Sequence, residues 1–235
     1  MTKTISFINH KGGVGKTTVC AHIGYALATF HGQRVLLVDY DHQANLTELF
    51  APDSSGDVIA ISETLHIMPA TLELAHEETA LTLKGEKYAL KWHLSNIRDN
   101  YDFILIDCPP SLGSLTVNAL FASTDVCVVS DAGKFSLKGL TTILDVVSAV
   151  QKENPRLRVS SAVLNNYETR RSDHNEALAT FQSIFPETFL PQPIRHIGAI
   201  EQSVWFGTTV FDKYKTSNAV TDFQTLSTLF LQRYV

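Results

Sequence analysis

Residues 10–18, His-Lys-Gly-Gly-Val-Gly-Lys-Thr-Thr, decide the fold of this 235-residue chain. An apolar run over residues 4–8 precedes them, and a helical pattern follows them. Strand, glycine-rich turn and helix form the context that a phosphate-binding loop requires. The glycines let consecutive backbone N–H groups surround a polyphosphate, and the helix N-terminus adds a partial positive charge. The stretch therefore predicts a nucleotide-binding α/β protein.

Two side chains of this loop are expected to do most of its chemistry. Lys16 is predicted to contact the β- and γ-phosphates, and the Thr17 hydroxyl to ligate Mg²⁺. The usual pattern has glycine six positions before this lysine, but here that position is His10, and a second lysine, Lys11, directly precedes the glycines. A glycine-rich turn without function is the alternative interpretation, and the strand-to-helix context argues against it.

Composition indicates one compact α/β domain over residues 1–235, with 44% hydrophobic and 18% charged residues. The longest apolar runs, such as residues 35–38 and 103–106, have the length of a strand and are too short to span a bilayer. No signal peptide is recognisable, so we expect a cytoplasmic protein. The net charge of −5 provides no general attraction for nucleic acid, so any DNA binding must use a local basic patch.

Two of these apolar runs end in carboxylates. The first leads into Asp39 and Asp41, and the second ends at Asp107. Ligands bind at the carboxyl ends of the strands in parallel sheets. One residue of the first pair is expected to hold the metal through water and the other to orient the attacking water, while Asp107 also holds Mg²⁺ through water. A solvated acidic pair at a strand end is the alternative interpretation of Asp39 and Asp41.

The remaining chain alternates strand and helix patterns, which predicts a doubly wound, mostly parallel sheet flanked by helices. Further strands are predicted over residues 65–68, 126–130 and 159–164. Further helices are predicted over residues 71–79, 86–100, 136–150, 173–185 (with Asp173 as N-cap), 198–205 and 217–234. Residues 51–63 are predicted to form a loop.

Three motifs resemble those of the ParA/MinD ATPases, a family with a deviant phosphate loop. The first is residues 11–18 of the loop itself. Residues 39–47, Asp-Tyr-Asp-His-Gln-Ala-Asn-Leu-Thr, and 101–112, Tyr-Asp-Phe-Ile-Leu-Ile-Asp-Cys-Pro-Pro-Ser-Leu, are similar to the second and third motifs of the ParA branch. The match continues over residues 136–140 and more weakly over 163–171 and 193–212, so it covers nearly the whole chain.

This resemblance implies an ATP hydrolase that closes into a homodimer around two ATP molecules. Lys11 would reach the partner subunit's phosphates, as an arginine finger does, while Lys16 holds the phosphates of its own subunit. Asp41 would position the water. The metal would be held by Thr17, Asp39 and Asp107. The nucleotide would be bound by Lys11, Gly12, Gly13, Val14, Gly15, Lys16, Thr17, Thr18, Asn166 and Pro193. An asparagine at a strand end can hydrogen-bond an adenine edge, although Asn166 could equally be an ordinary turn residue.

The resemblance also implies partners. ATP-loaded dimers of the ParA type bind DNA without sequence preference, and a ParB-like protein stimulates their slow hydrolysis. They thereby move plasmids, chromosomes or other cargo, associated with the nucleoid when ATP is bound. The candidate DNA contacts are Arg170, Arg171, Arg195, Lys213 and Lys215. For each of them, a solvated surface position is the alternative.

Other functions of the same loop need features that this sequence lacks or does not reveal. A MinD-like membrane positioner requires a basic amphipathic C-terminal helix, whereas Arg233 is the only basic residue of the last segment, so no stable membrane anchor is expected. The three cysteines are not paired as in iron–sulfur carriers. A small-molecule ligase would need a substrate pocket. No N-terminal helix-turn-helix precedes the loop, so operator binding is not expected. His42 replaces the family's usual proline, and residues 51–62 form a short connection for this branch.

Overall fold

The computed structural model describes residues 1–52, 54, 57–71, 73–133 and 139–235. Within them, seven strands form one sheet in the order β3-β4-β2-β5-β1-β6-β7. The strands are β1 (Lys3–Ile8), β2 (Val35–Asp39), β3 (Ile59–Ala60), β4 (Leu65–Met68), β5 (Phe103–Asp107), β6 (Asp125–Asp131) and β7 (Arg158–Asn165). Only β3 runs antiparallel to its neighbour among these strands, so the predicted doubly wound, mostly parallel sheet is confirmed.

Helices cover both faces of this sheet. They are α1 (Lys16–His31), α2 (Asn45–Phe50), α3 (Leu74–Lys84), α4 (Ala89–Ser95), α5 (Ser114–Ala122), α6 (Leu140–Gln151), α7 (Ser172–Ile184), α8 (Gly198–Trp205), α9 (Val210–Lys213) and α10 (Asn218–Tyr234). A 3₁₀ turn covers Arg98–Asn100. None of the helices in the described part of the chain has the length and apolar character to cross a bilayer.

The central strands are buried on both faces, as their unbroken apolar runs indicate. Every residue of β2 and β5 is buried. On one face, Phe103 and Leu105 share a core with residues of α1 and α10, including Phe230. On the other face, Ile104 and Ile106 share a core with residues of α5, α6 and α7. This double cover fixes the strand ends and so holds the acidic residues that follow them.

The last helix confirms its predicted pattern. The Ser217 hydroxyl accepts a hydrogen bond from the Ala219 N–H at the helix start. Phe223, Leu226 and Phe230 are fully buried. Because the apolar side of α10 packs in the core, it is not available to a lipid surface.

Four local predictions are wrong. The 51–63 loop contains β3, a two-residue strand that forms only by pairing with β4. No helix is predicted over α5, although its buried Leu115 and Ala119 have helical spacing. The 86–100 helix is shorter: α4 ends at Ser95, before the 3₁₀ turn.

The fourth correction concerns the cap of α7. Arg171, with extended backbone, is the N-cap, and Asp173 lies within the first turn. The Asp173 carboxylate accepts hydrogen bonds from the Arg171 guanidinium instead of capping the helix. The helix predicted over residues 136–150 is confirmed from Leu140 onward, and residues 136–138 lie outside the described part of the chain.

Candidate nucleotide-binding site

The phosphate loop connects β1 to α1 and leaves the first N–H groups of α1 without a side-chain cap. Gly13 and Gly15 have φ angles of 76° and 91°, in the left-handed region that favours glycine. Uncapped N–H groups at a helix start attract anions, because the helix dipole adds to their partial charge. The local geometry is therefore that of a phosphate cradle.

Asn165 supports this loop from the end of β7. Its Nδ2 donates to the Val14 carbonyl oxygen over 2.9 Å, and a side chain at Gly15 would collide with the same amide. The sequence pointed instead to Asn166, which has a left-handed φ of 53° directly after β7. Its contact with the nucleotide stays a prediction. The contact of Pro193 with the nucleotide also stays a prediction. Pro193 precedes Ile194, whose N–H donates to the Leu164 carbonyl oxygen at the same edge of the sheet.

Lys16 is held inside the loop. It is only 6% exposed, and its Nζ lies 3.5 Å from the Lys11 carbonyl oxygen. Burial lowers the pKa of Lys16, and the nearby carboxylates of Asp107 and Asp41 counteract that effect. Burying an ammonium group is unfavourable unless an anion balances its charge, so an anionic ligand should bind beside Lys16.

Asp39 and Asp107 stand side by side, since they are paired in register where β2 and β5 end. The Asp39 carboxylate accepts hydrogen bonds of 2.7 Å from both the N–H and the hydroxyl of Thr47, and a longer one from the Asp41 N–H. Burial raises the pKa of Asp39, while these hydrogen bonds lower it in part. Asp39 is thereby fixed in place, and its predicted contact with the metal would run through water.

Asp107 has a different environment. Both of its carboxylate oxygens are buried, and neither has a hydrogen-bond partner of standard geometry among the described residues. Burial, together with the negative charge of Asp39, raises the pKa of Asp107 to about 8, although Thr17 and Lys16 counteract this. Buried, unsatisfied carboxylate oxygens beside a threonine hydroxyl fit a hard cation such as Mg²⁺. The predicted set of Thr17, Asp39 and Asp107 is compatible with that ion.

Asp41 lies just beyond this pair and is 6% exposed. Its Oδ1 accepts the Gln43 N–H over 3.1 Å and lies 3.8 Å from Nδ1 of His42. These contacts orient the carboxylate at the edge of the site. Its role in positioning water stays a prediction.

Lys11 lies at the rim of the loop. Its backbone N–H donates to Asn9, and its Nζ forms a 3.0 Å ion pair with Asp131 at the end of β6. The Lys11 side chain is 40% exposed, compared with 18% for Asp131. No sequence signal points to Asp131, since the two residues are 120 positions apart in the chain. Lys11 is thus accessible to a second molecule.

The five candidate DNA contacts have unequal surroundings. Arg195 donates to Asp222, with a shortest distance of 2.6 Å, and thereby ties its segment to α10. Arg171 pairs with Asp173 and Glu168, and the Nζ of Lys213 lies 3.2 Å from the centre of the Phe206 ring. Arg170 and Lys215 are exposed and form no ion pair within the described residues. The last two are therefore best placed to contact a polyanion.

Comparison with known proteins identifies the family. A sequence profile described as an AAA domain matches residues 2–60 and 53–159. The sporulation initiation inhibitor protein Soj of Bacillus subtilis is 36% identical over 220 residues, which cover 83% of this chain and 86% of Soj. A ParA family protein of Chlamydia trachomatis is 31% identical over 99% of this chain and its own full length.

This chain belongs to the ParA/MinD family of P-loop ATPases. A solved structure described as cobyrinic acid a,c-diamide synthase from Mycobacterium smegmatis, with bound ATP analog and magnesium, is 30% identical to it. The two align with a TM-score of 0.83, over 100% of this chain and 96% of that one. The ATP analog and magnesium of that structure correspond to ATP and Mg²⁺, the cofactors predicted from the sequence of this ParA/MinD protein.

The raised pKa of Asp107 makes a testable prediction for this family member. A carboxyl with a higher pKa in the folded chain than in the unfolded one binds extra protons when folded. The free energy of unfolding therefore declines as the pH rises from about 4 towards 8. In the absence of nucleotide and Mg²⁺, Asp107 should lower the free energy of unfolding of the unmodified protein by about 2 kcal/mol between pH 6 and pH 8. We expect this contribution to be missing in Asp107→Asn.

Denaturant unfolding at the two pH values measures this difference. Asp99→Asn, an exposed carboxylate in the 3₁₀ turn, is the matched control and should follow the unmodified protein. Equal pH dependence in Asp107→Asn and the unmodified protein would contradict the assignment.

Proposed function

We propose that this chain is a Mg²⁺-dependent ATPase of the ParA type, which dimerises on ATP, binds DNA without sequence preference and drives the partition of plasmids, chromosomes or other cargo. One observation carries the proposal: a buried lysine and an unsatisfied buried aspartate, Lys16 and Asp107, lie beside an uncapped helix start. The relationship to Soj supports the partition role.

Different residues of the site have different roles in ATP hydrolysis. The loop N–H groups and Lys16 bind the triphosphate and offset its charge, and Asp41 orients the attacking water. When bound, Mg²⁺ would be held by Thr17, Asp39 and Asp107 and would neutralise charge on the β- and γ-phosphates. The Asp41 carboxylate acts from the turn after β2, and turnover is expected to be slow until a partner protein binds.

Dimerisation would bring a second lysine to each nucleotide. Lys11 at the rim would exchange its contact with Asp131 for the partner subunit's phosphates, and so add positive charge where the transition state gains negative charge. A ParB-like protein would stimulate this step. ATP binding thereby controls assembly.

The proposed DNA contacts lie on the surface around α10. A backbone bridge between Tyr167 and Arg195, and the contact of Arg195 with Asp222, place the loop after β7 beside the start of α10. Arg170 and Lys215 are on these two segments. Two subunits would double the patch, which explains how an acidic chain could associate with the nucleoid in the cytoplasm only when ATP is bound.

DNA retention with ATP, with ADP and without nucleotide, each at two salt concentrations, tests this function. We expect retention with ATP alone and a loss of retention at the higher salt concentration. The double variant Arg170→Ala/Lys215→Ala should retain DNA at least about tenfold more weakly, with a shallower salt dependence, because each lost phosphate contact reduces the slope.

Two control double variants test whether DNA retention depends on Arg170 and Lys215 specifically. Arg156→Ala/Lys152→Ala removes the same charge from the region after α6 and should leave retention unchanged. Arg170→Lys/Lys215→Arg keeps the charge and should restore it. Equal retention of the unmodified protein with ATP and ADP would overturn the proposed ATP-dependent DNA binding.

A further inference from the structure

A cavity of about 410 Å³ lies behind the strand end that carries Asp39. Residues 39–40 and 68–71, at the ends of β2 and β4 and just after them, form its floor, while α3 and α4 form its walls. No residue of the phosphate loop lines it, nor does Asp41 or Asp107. The cavity is therefore separate from the nucleotide cradle, although both adjoin Asp39. Its volume lies within the range of about 300–1,000 Å³ that is typical of ligand pockets.

Small side chains keep this space open. The lining face of α3 includes Leu74, Ala80 and Leu81, of which only Leu74 is buried in the described structure. Ala89 of α4 lines the cavity as well. Larger side chains at the two alanines would occupy the space, so the apolar walls remain available to a ligand.

Tyr40 supplies a polar group at the floor. It is 8% exposed, and its hydroxyl makes no hydrogen bond with the described residues. Burial raises its pKa, with the charge of Glu77 adding to the effect, so the phenol stays neutral. A neutral phenol can accept a hydrogen bond as well as donate one. The hydroxyl is thus a ready contact for a bound molecule.

The charges around the cavity favour a cation. Among the described residues that line it, Asp57, Glu77 and Glu86 are acidic, while Lys84 and His93 are basic. Asp39 lines it as well, although its carboxylate oxygens already accept hydrogen bonds from Thr47 and the Asp41 N–H. We propose that the cavity binds a small organic cation, an amine or guanidine attached to an apolar body. This site goes beyond the proposed function, which does not use it.

In the expected complex, the apolar body contacts the leucines of α3 and α4. The cationic group donates to the Tyr40 oxygen and is attracted by Glu77. The site adjoins the ATPase centre at Asp39 and is distinct from it. No bond is made or broken in the ligand.

Two probes with the same apolar body but opposite charge test the site. Calorimetry should show that 4-phenylbutylammonium binds the unmodified protein with a Kd of about 1 mM or lower, and at least about fivefold more tightly than 4-phenylbutyrate. Amide chemical shifts should change for residues of α3 and α4. Equal affinity for the two probes, or shift changes elsewhere only, would overturn the inference.

Variants of the lining residues test whether the cation binds in this cavity. Ala80→Phe, which fills the cavity, should abolish binding of the cation. Glu77→Gln should weaken it at least about threefold, and Glu73→Gln, at an exposed position that does not line the cavity, should not. ATP affinity, measured on the same samples, should be unchanged, which separates this result from any test of the ATPase function. Unchanged binding of the cation in both Ala80→Phe and Glu77→Gln would contradict the site.

Discussion

Lys16→Ala should lose at least about 100-fold in ATP affinity. Lys16 is the buried cation inside the phosphate loop, and burial already lowers its pKa in the protein without nucleotide. Removing one partner of a buried charge pair costs about 2–5 kcal/mol, and every 1.4 kcal/mol corresponds to tenfold in affinity. The loss is greater than for a surface lysine because the triphosphate would enter next to Asp107 and Asp41 without a compensating charge.

Isothermal titration with ATP and Mg²⁺ measures this affinity. Lys152→Ala, which removes an exposed lysine after α6, is the control and should bind ATP normally. Circular dichroism should show that both variants are folded. An ATP affinity of Lys16→Ala within threefold of the unmodified protein would exclude the role assigned to Lys16.

Lys11→Ala should abolish the ATP-dependent dimer while leaving ATP binding by the monomer within about threefold. The side chain is 40% exposed at the rim, where it forms a 3.0 Å ion pair with Asp131. An exposed ion pair contributes only about 0–1 kcal/mol, so its loss hardly affects the fold. A lysine that contacts the partner subunit's triphosphate adds a charge-assisted contact to each of two nucleotides, and losing both contacts removes most of the assembly energy.

Size-exclusion chromatography with light scattering, in the presence of ATP, distinguishes the two states. The chain offers a closely matched control in Lys87→Ala. Lys87 is 43% exposed and pairs with Glu153 over 2.9 Å, compared with 40% and 3.0 Å for Lys11 and Asp131. A dimer that persists in Lys11→Ala would contradict the proposed contact, and an unmodified protein that stays monomeric with ATP would overturn dimerisation itself.

The strands and the loop could be predicted because their signals are local. Phe103–Asp107 is a continuous apolar run ending in a carboxylate, and its burial on both faces follows from that composition. Gly13 and Gly15 have left-handed backbone conformations, which glycine adopts more easily than any other residue. These features do not depend on which residues approach from elsewhere in the chain.

Contacts between distant residues could not be predicted in the same way. Arg195 is a candidate DNA contact from the sequence, yet in the structure its guanidinium is bound by Asp222. The Asn165 contact with Val14 spans most of the chain, and the adjacent Asn166 has an equally suggestive sequence position. β3 exists only because β4 offers its edge.

The sequence by itself determined the sheet class, the phosphate loop and the acidic strand ends, because backbone conformation and strand burial follow from neighbouring residues. Only the tertiary structure decided which cations are paired, which asparagine supports the loop, and that a cavity opens behind Asp39. Those features depend on the relative positions of packed elements, and such positions are set by the whole core rather than by any one segment.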